Sequence, residues 1–322
     1  MRIADPQGFP RGLKIGAAIL LCLVVAGIAA PLLATSLPWL VRSDGGLASP
    51  ALRALFGVPR PAAPSPEVLL RAPIPRDPYA SDLDRVLVPP SRSSWLGTDG
   101  LGRDLGARLL HGSRVSLAVG LLAAALALAL GVPLGAVAGY RGGLADAVVS
   151  RCTEAVLCIP TLLLALVFLA VSPSWLAHFP DAVRISLVLG VTGWTPVARY
   201  LRGEFLKLRE SDLVAAARAS GARDSRIVVL HLLPSAMAPV LVTAAFTVSA
   251  AILLEAALSF LGFGVRPPTP TWGGLLGEAR QHVQRAWWLT LFPGAALFLA
   301  VLACNLVGEG LRDLLDPRRL RG

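Results

Sequence analysis

RYLRGEFLKLRESDLVAAARASGARDSRIVVLHLLP, residues 199–234, is a polar segment set between two long apolar runs. It holds seven basic residues: Arg199, Arg202, Lys207, Arg209, Arg218, Arg223 and Arg226. Ser211 or Asp212 offers a side-chain oxygen to cap a helix N-terminus. Residues 213–220, from Leu213 on, are alanine-rich, and alanine is the best helix former. Gly221 stands where a glycine ends a helix, because it takes the left-handed conformation without a Cβ penalty. Asp224 or Ser225 is placed to cap a second helix running to Leu233, and Pro234 precedes the next apolar run. A short helix with small side chains such as Ala216 and Ala217 permits close approach by another protein, with Arg218, Arg223 and Arg226 available to acidic groups there. The plain alternative is an ordinary basic connection between membrane helices.

Working outward, the chain has 322 residues, 55% hydrophobic and 16% charged, whereas soluble domains carry about a quarter charged residues. A spanning helix needs about 20 mostly apolar residues. Six segments qualify: 15–37, 115–138, 153–171, 185–201, 237–261 and 288–309. Backbone polar groups cannot stay unpaired in hydrocarbon, so each is expected to be helical. The expected fold class is an all-α integral membrane bundle of six transmembrane helices. The first run also resembles a signal peptide, but it is longer than a 7–15-residue signal core, so an uncleaved first span is expected. With both termini in the cytoplasm, the inside segments hold Arg2, Arg11, Lys14, Arg141, Arg151, the loop above, Arg312, Arg318, Arg319 and Arg321. The short outside loops hold only Arg184, Arg266, Arg280 and Arg285, as the positive-inside rule requires. The expected division is 1–37, cytoplasmic N-terminus and first span; 38–114, an extracytoplasmic insertion; and 115–322, a five-helix core whose cytoplasmic loop is 202–236. The insertion is Pro-rich, which disfavours regular helix, and Leu47 to Ser94 is expected to be an extended, partly ordered segment. Leu52, Leu55, Phe56 and Val86 are its apolar candidates for packing.

The net charge of +10 follows from basic residues flanking apolar runs. No basic patch interleaved with aromatics marks a nucleic-acid partner. Cys22, Cys152, Cys158 and Cys304 lie in or beside apolar runs with no metal-ligand spacing. His111, His178, His231 and His282 are scattered. A P-loop needs a lysine beside a glycine-rich turn, and the two lysines, Lys14 and Lys207, lie in GLKIG and FLKLR. No nucleotide, metal or other cofactor is expected on this chain. No GxSxG, HExxH or paired catalytic carboxylates appear, so no catalytic residue is assigned.

GTDGLGRD, residues 97–104, has the look of a phosphate or calcium loop but lacks the required spacing. A structural role is expected instead. Gly97, Gly100 and Gly102 permit tight turns, Thr98 lies within the motif, and Asp99, Arg103 and Asp104 pair locally. Residues 105–113 are expected to form a separate amphipathic helix at the interface. Gly131, Gly135 and Gly139 repeat every fourth residue, which lets a neighbouring helix approach closely. Pro133, Pro160, Pro196 and Pro293 are candidate kinks. Glu255 and Asn305 are polar groups within spans, where ionisable side chains are costly. Either they face a pathway or they anchor packing.

Four blocks carry a family resemblance: WLGTDGLGRDLGARLLHGSRVSL (95–117), the stretch 193–234, LEAALSFLGFGVRPPTPTWGGLL (254–276) and NLVGEGLRDLLDPR (305–318). From residue 95 to the C-terminus the chain resembles the second permease subunit of dipeptide, oligopeptide and nickel ABC importers. LVRSDGG (40–46) and PPSRSSWLGTD (89–99) resemble more closely the branch associated with microcin C and oligopeptide uptake. The resemblance implies a type I ABC importer permease fold in a bacterial inner membrane, with the loop around Leu213, Ala216, Ala217, Arg218, Gly221, Arg223, Arg226 and Pro234 acting as the "EAA" coupling element. It implies as partners a homologous permease subunit, two ABC ATPase subunits that hold ATP and Mg, an extracytoplasmic solute-binding protein, the lipid bilayer and a peptide substrate. Nickel is the alternative cargo. The family's glutamate before two alanines is Ala215 here. The rivals are an ATP-independent secondary transporter or channel, disfavoured by the absence of an internal repeat, and a membrane enzyme.

Overall fold

A computed structural model describes residues 10–43, 46–55, 67–171 and 173–315. Arg2, Phe56, the proline-rich run 59–66, and Arg318, Arg319 and Arg321 lie outside the described residues. The helices are α1 Arg11–Leu33, α2 Pro50–Leu55, α3 Leu105–Arg141, α4 Gly143–Leu157, α5 Thr161–Ala170, α6 Asp181–Thr192 and α7 Thr195–Leu208. They continue with α8 Asp212–Ala219, α9 Asp224–Ile227, α10 Leu233–Phe260, α11 Trp272–Ala279 and α12 Trp288–Leu315. Strands β1 Leu40–Ser43, β2 Gly46–Ala48 and β3 Glu67–Leu70 form an antiparallel sheet in the order β2-β1-β3.

Among the described residues, four helical stretches are long and apolar enough to cross a membrane: Arg11–Leu33, Leu105–Arg141, Asp224–Phe260 and Trp288–Leu315. The segment expected at 153–171 is two helices, α4 and α5, bent by 86° at their junction. Pro160 sits at that break, where it removes a backbone donor and pushes the preceding residue out of the helical region. Counted as one, the bent pair makes a fifth candidate. The segment expected at 185–201 is also divided. Gly193 ends α6, and Pro196 lies in the first turn of α7, where a missing N–H costs nothing. Pro196 therefore starts a helix rather than kinking one, while Pro133 and Pro293 lie within α3 and α12.

Two further expectations are corrected. Residues 105–113 are the first turns of the 37-residue α3, not a separate surface helix. At 1.5 Å per residue α3 is about 55 Å long, beyond the ~30 Å of hydrocarbon. Its first turns are buried, with Leu105, Ala107 and Arg108 almost wholly enclosed. The insertion, too, is not simply extended: it contains the small sheet and α2, so the fold is helical with a minor β element.

The described chain divides into two compact units. One comprises Val119–Glu255 with the described parts of 1–20 and 300–322. The other comprises the described residues of 21–118 with Ala256–Leu299. In the first unit the glycine face of α3 meets α7. A methyl group on Gly131 would lie 2.7 Å from the Trp194 carbonyl oxygen, one on Gly135 2.6 Å from that of Ala198, and one on Gly139 2.5 Å from Phe205 Cβ. Only hydrogen fits at these three positions, which is what the four-residue spacing predicts. Tyr140, Leu201, Phe205, Val214, Ile227 and Leu232 continue this contact as an apolar cluster. Arg202 ties α7 to α4 through both oxygens of Asp146. In the second unit Leu105, Leu275, Ala286, Trp288 and Leu289 form a separate core. There α11 is capped by Thr271, which accepts from the Gly274 N–H at 3.0 Å.

Ile15, Leu21, Val25 and Ile28 stand exposed along α1. A run of large apolar side chains on one helix surface requires lipid or a partner to cover it.

Candidate functional site

The 199–234 segment lies wholly in the first unit. Helix α8 covers Asp212–Ala219, one residue from its expected position. Ser211 is its N-cap in an extended conformation, but its side chain does not cap. The hydroxyl instead donates to the Leu208 carbonyl at 2.6 Å. Gly221 has φ +77°. The Gly221 N–H reaches the Arg218 carbonyl at 2.9 Å and the Ala222 N–H reaches that of Ala217 at 3.0 Å. This pair of bonds is a Schellman ending, which satisfies the last carbonyls of the helix and needs the left-handed residue.

α9 begins at Asp224 with Arg223 as its N-cap, so neither Asp224 nor Ser225 caps it as expected. It does not stop before the next span either. A π turn, Val228–Leu232, joins it directly to α10. Pro234 falls in the first turn of α10, two residues past that widened turn. Proline inside a helix clashes with the carbonyl four residues back, and a π turn is a place where the ladder opens.

One residue of α8 holds it down. Val214 is fully buried in the cluster with Tyr140, Phe205 and Ile227, and Ala217 and Ala222 pack against that cluster. Leu213, Ala215, Ala216, Arg218 and Ala219 are exposed. A large apolar side chain, three methyl groups and a cation therefore form an outward face on a helix fixed from below. Ala215 belongs to that face and leaves it uncharged there. Arg223 and Arg226 are exposed and form no ion pair among the described residues. Arg218 lies over the Tyr140 ring at 5.7 Å from guanidinium carbon to ring centre. Its hydrogen bond to the Tyr140 hydroxyl raises its pKa, so its charge stays fixed. The chemistry offered is recognition: a small-residue surface with cations at its rim.

The 97–104 motif lies in the second unit and is an ionic cluster. Asp99 Oδ1 accepts the N–H groups of Leu101 and Arg103 at 2.8 and 3.0 Å. Asp99 Oδ2 accepts Arg103 Nε at 2.7 Å and Arg108 Nη1 at 2.5 Å. Glu278 on α11 takes Arg103 Nη2 at 2.9 Å and both terminal nitrogens of Arg108. Two buried cations thus face two carboxylates, the arrangement under which buried charge is tolerated. Asp104 does not join this pairing. Its Oδ1 accepts the Ala107 N–H at 3.0 Å and caps α3. Thr98 donates to the Arg85 carbonyl and accepts the Val88 N–H at 2.8 Å, and its own carbonyl accepts Trp288 Nε1 at 3.1 Å. Gly97 and Gly102 have φ +81° and +71°. A methyl group on Gly102 would lie 1.7 Å from the Asp82 carbonyl oxygen. Gly100 serves proximity instead, since a methyl group there would lie 2.8 Å from His282 Nε2.

Arg108 and Glu278 were not singled out in the sequence. The only signals were a carboxylate and an arginine flanking apolar runs, separated by 170 positions. Glu255 is fully buried. Asn305 is half-buried within α12. Among the described residues no group of three or more His, Cys, Asp and Glu is placed to hold a metal ion.

Residues 131–321 match the family model described as "Binding-protein-dependent transport system inner membrane component". The chain is 39% identical over 229 residues to the dipeptide transport system permease protein DppC of Alkalihalophilus pseudofirmus, covering 71% of this chain and 73% of that one. It is 37% identical over 230 residues to the oligopeptide transport system permease protein OppC of Bacillus subtilis, with the same coverage of 71% and 73%. It is 38% identical over 242 residues to a probable D,D-dipeptide transport system permease protein of Escherichia coli, covering 75% and 79%. Its fold is similar to a chain of the MetNI methionine ABC transporter in an inward-facing conformation, with TM-score 0.54, 20% identity, and 65% of this chain and 96% of that one covered. The helical architecture is thus that of an ABC importer permease, and the chain belongs to the family of binding-protein-dependent transport system inner membrane components.

Proposed function

We propose that this protein is the permease subunit of an ATP-driven importer of peptides in a bacterial inner membrane. It forms the translocation path with a homologous permease subunit and works with two ABC ATPase subunits, which hold ATP and Mg, and with an extracytoplasmic solute-binding protein. Both termini and the 202–236 loop lie in the cytoplasm, and the 97–104 motif lies outside. The similarity to dipeptide and oligopeptide transport permeases supports peptides over nickel as cargo.

The outward face of α8 carries this proposal. A helix anchored by one buried valine, ended by a left-handed glycine and faced with Leu213, Ala215 and Ala216 has the form of a part gripped by another protein. ATP binding moves the grip, and the spans respond only because the gripping partner binds the two states of the permease with different affinity.

The test is reconstitution of the complete complex in liposomes with a panel of labelled di- and oligopeptides and with nickel. Peptide uptake that requires ATP inside, the ATPase subunits and the binding protein is the expected result. Uptake that persists without the ATPase subunits would overturn the proposal.

A further inference from the structure

We infer that Tyr140 and Asp224 are positioning residues for transport, forming a clasp that fixes the rotation of α8 and α9 against the end of α3. The inference rests on the permease function proposed above and names residues outside the loop's docking face.

Apolar contact alone leaves α8 poorly located. Val214 and Ile227 are buried in the cluster, but dispersion and burial are non-directional, so a helix resting on them can roll. Directional bonds remove that freedom. Tyr140, the penultimate residue of α3, donates its hydroxyl to Asp224 Oδ1 at 2.5 Å. The Tyr140 hydroxyl oxygen accepts from Arg218 Nη2 at 3.5 Å, while the Arg218 guanidinium covers the ring. One side chain thus touches α8 through Arg218 and α9 through Asp224. It spans the two sides of the Gly221 turn and resists its opening.

The opposite end of this connection is stiff. Directly preceding Tyr140, the face of Gly131, Gly135 and Gly139 is locked against α7, and Arg202 ties α7 to α4 through Asp146. A displacement imposed on α8 reaches α3, α7 and α4 through Tyr140 as a single body. With the hydroxyl removed, α8 turns on Val214 and part of the displacement is lost. Charge-assisted bonds such as this one are stronger than neutral ones. The ring by itself keeps the Arg218 contact, because cation–π attraction needs only the aromatic face.

The test uses the complete complex, with Tyr140→Phe, Asp224→Ala and Asp224→Asn as variants. Phe keeps the volume of the ring, and Asp224 is exposed, so assembly is preserved. Asn keeps an oxygen that accepts from the hydroxyl. Two readouts are taken: amide hydrogen exchange over residues 212–224, and uptake of tritiated dialanine per ATP hydrolysed. Tyr140→Phe and Asp224→Ala are expected to speed exchange in that segment and to lower uptake per ATP by about three- to ten-fold, the weight of one net hydrogen bond. Asp224→Asn restores most of both, and the double variant is no worse than either single one, as for partners in one contact. Unchanged exchange in Tyr140→Phe overturns the clasp. Faster exchange with unchanged uptake per ATP reduces it to a structural contact and overturns the positioning role. Lack of ATP-driven uptake in the unmodified complex defeats the permease function alone, and the exchange measurement still decides the clasp.

Discussion

The segment 97–108 and the segment 211–227 are both rich in charge and both turn at glycines of positive φ, yet they use their charges in opposite ways. Around Asp99 the charges are turned inward. Asp99, Arg103 and Arg108 are buried, and both oxygens of Asp99 are occupied. Around α8 the charges are turned outward. Arg218, Arg223 and Arg226 are exposed, and Val214 is the fully buried residue of α8. A segment that satisfies its own polar groups is scaffold, because nothing remains to offer a partner. A segment that turns its cations to the surface keeps them available to a partner, the role proposed above for α8.

The difference is sharpest on substitution. Asp99→Ala is expected to be the most damaging change, since it strips a carboxylate from two buried arginines. Breaking a buried ion pair in this way costs about 3–5 kcal/mol. Thermal unfolding of the purified complex in detergent should show it, or the variant should fail to accumulate. Glu278→Gln is expected to cost less, because the Glu278 side chain is 34% exposed and water replaces part of what is lost.

Gly102→Ala against Gly221→Ala is the next comparison. Both glycines have positive φ, so both variants carry backbone strain of about 1–2 kcal/mol. At Gly102 the new methyl also meets a carbonyl oxygen at 1.7 Å, whereas at Gly221 nothing lies within 4 Å. Gly102→Ala should therefore add about 1–3 kcal/mol of overpacking to the strain, read from the same melts. Gly221→Ala should cost the strain alone, while Gly221→Pro should abolish uptake with the protein still inserted. Equal melting temperatures for the two alanine variants would break the comparison.

The smallest expected effect on stability comes from Ala216→Trp on the exposed face of α8. Such a surface change should stay within about 0.5 kcal/mol, yet it should block uptake because the partner's groove is filled. Ala217→Leu should fall between, since Ala217 is partly buried against the cluster. Loss of stability in Ala216→Trp, or normal uptake with it, would contradict the assignment of that face.

Local features were legible in the sequence. Capping position, alanine content and Gly221 locate α8 to within a residue, and the four-residue glycine repeat identifies the face of α3 that another helix approaches. Features set by distant partners were not. The carboxylate that completes the 97–108 cluster is Glu278, and no periodicity connects the two. The continuity of 105–113 with α3 was not legible, because the partners that enclose Arg108, Asp99 and Glu278, lie elsewhere in the chain. The 86° bend between α4 and α5 had a local sign in Pro160, but proline marks a break without fixing its angle. The small sheet was obscured by the proline content around it. The π turn before Pro234 was likewise invisible, since propensity gives no account of a widened turn.

The central claim, that the outward face of α8 is gripped by an ATP-hydrolysing partner, is tested most directly by thiol cross-linking at Ala216→Cys. Cys22, Cys152 and Cys158 are exposed and would first be changed to serine, leaving the buried Cys304. In the assembled complex the Ala216→Cys chain should cross-link to the ATPase subunit through a short bifunctional thiol reagent, and the yield should change when ATP is bound. An assembled, ATP-hydrolysing complex in which this cysteine yields no such product would contradict the claim.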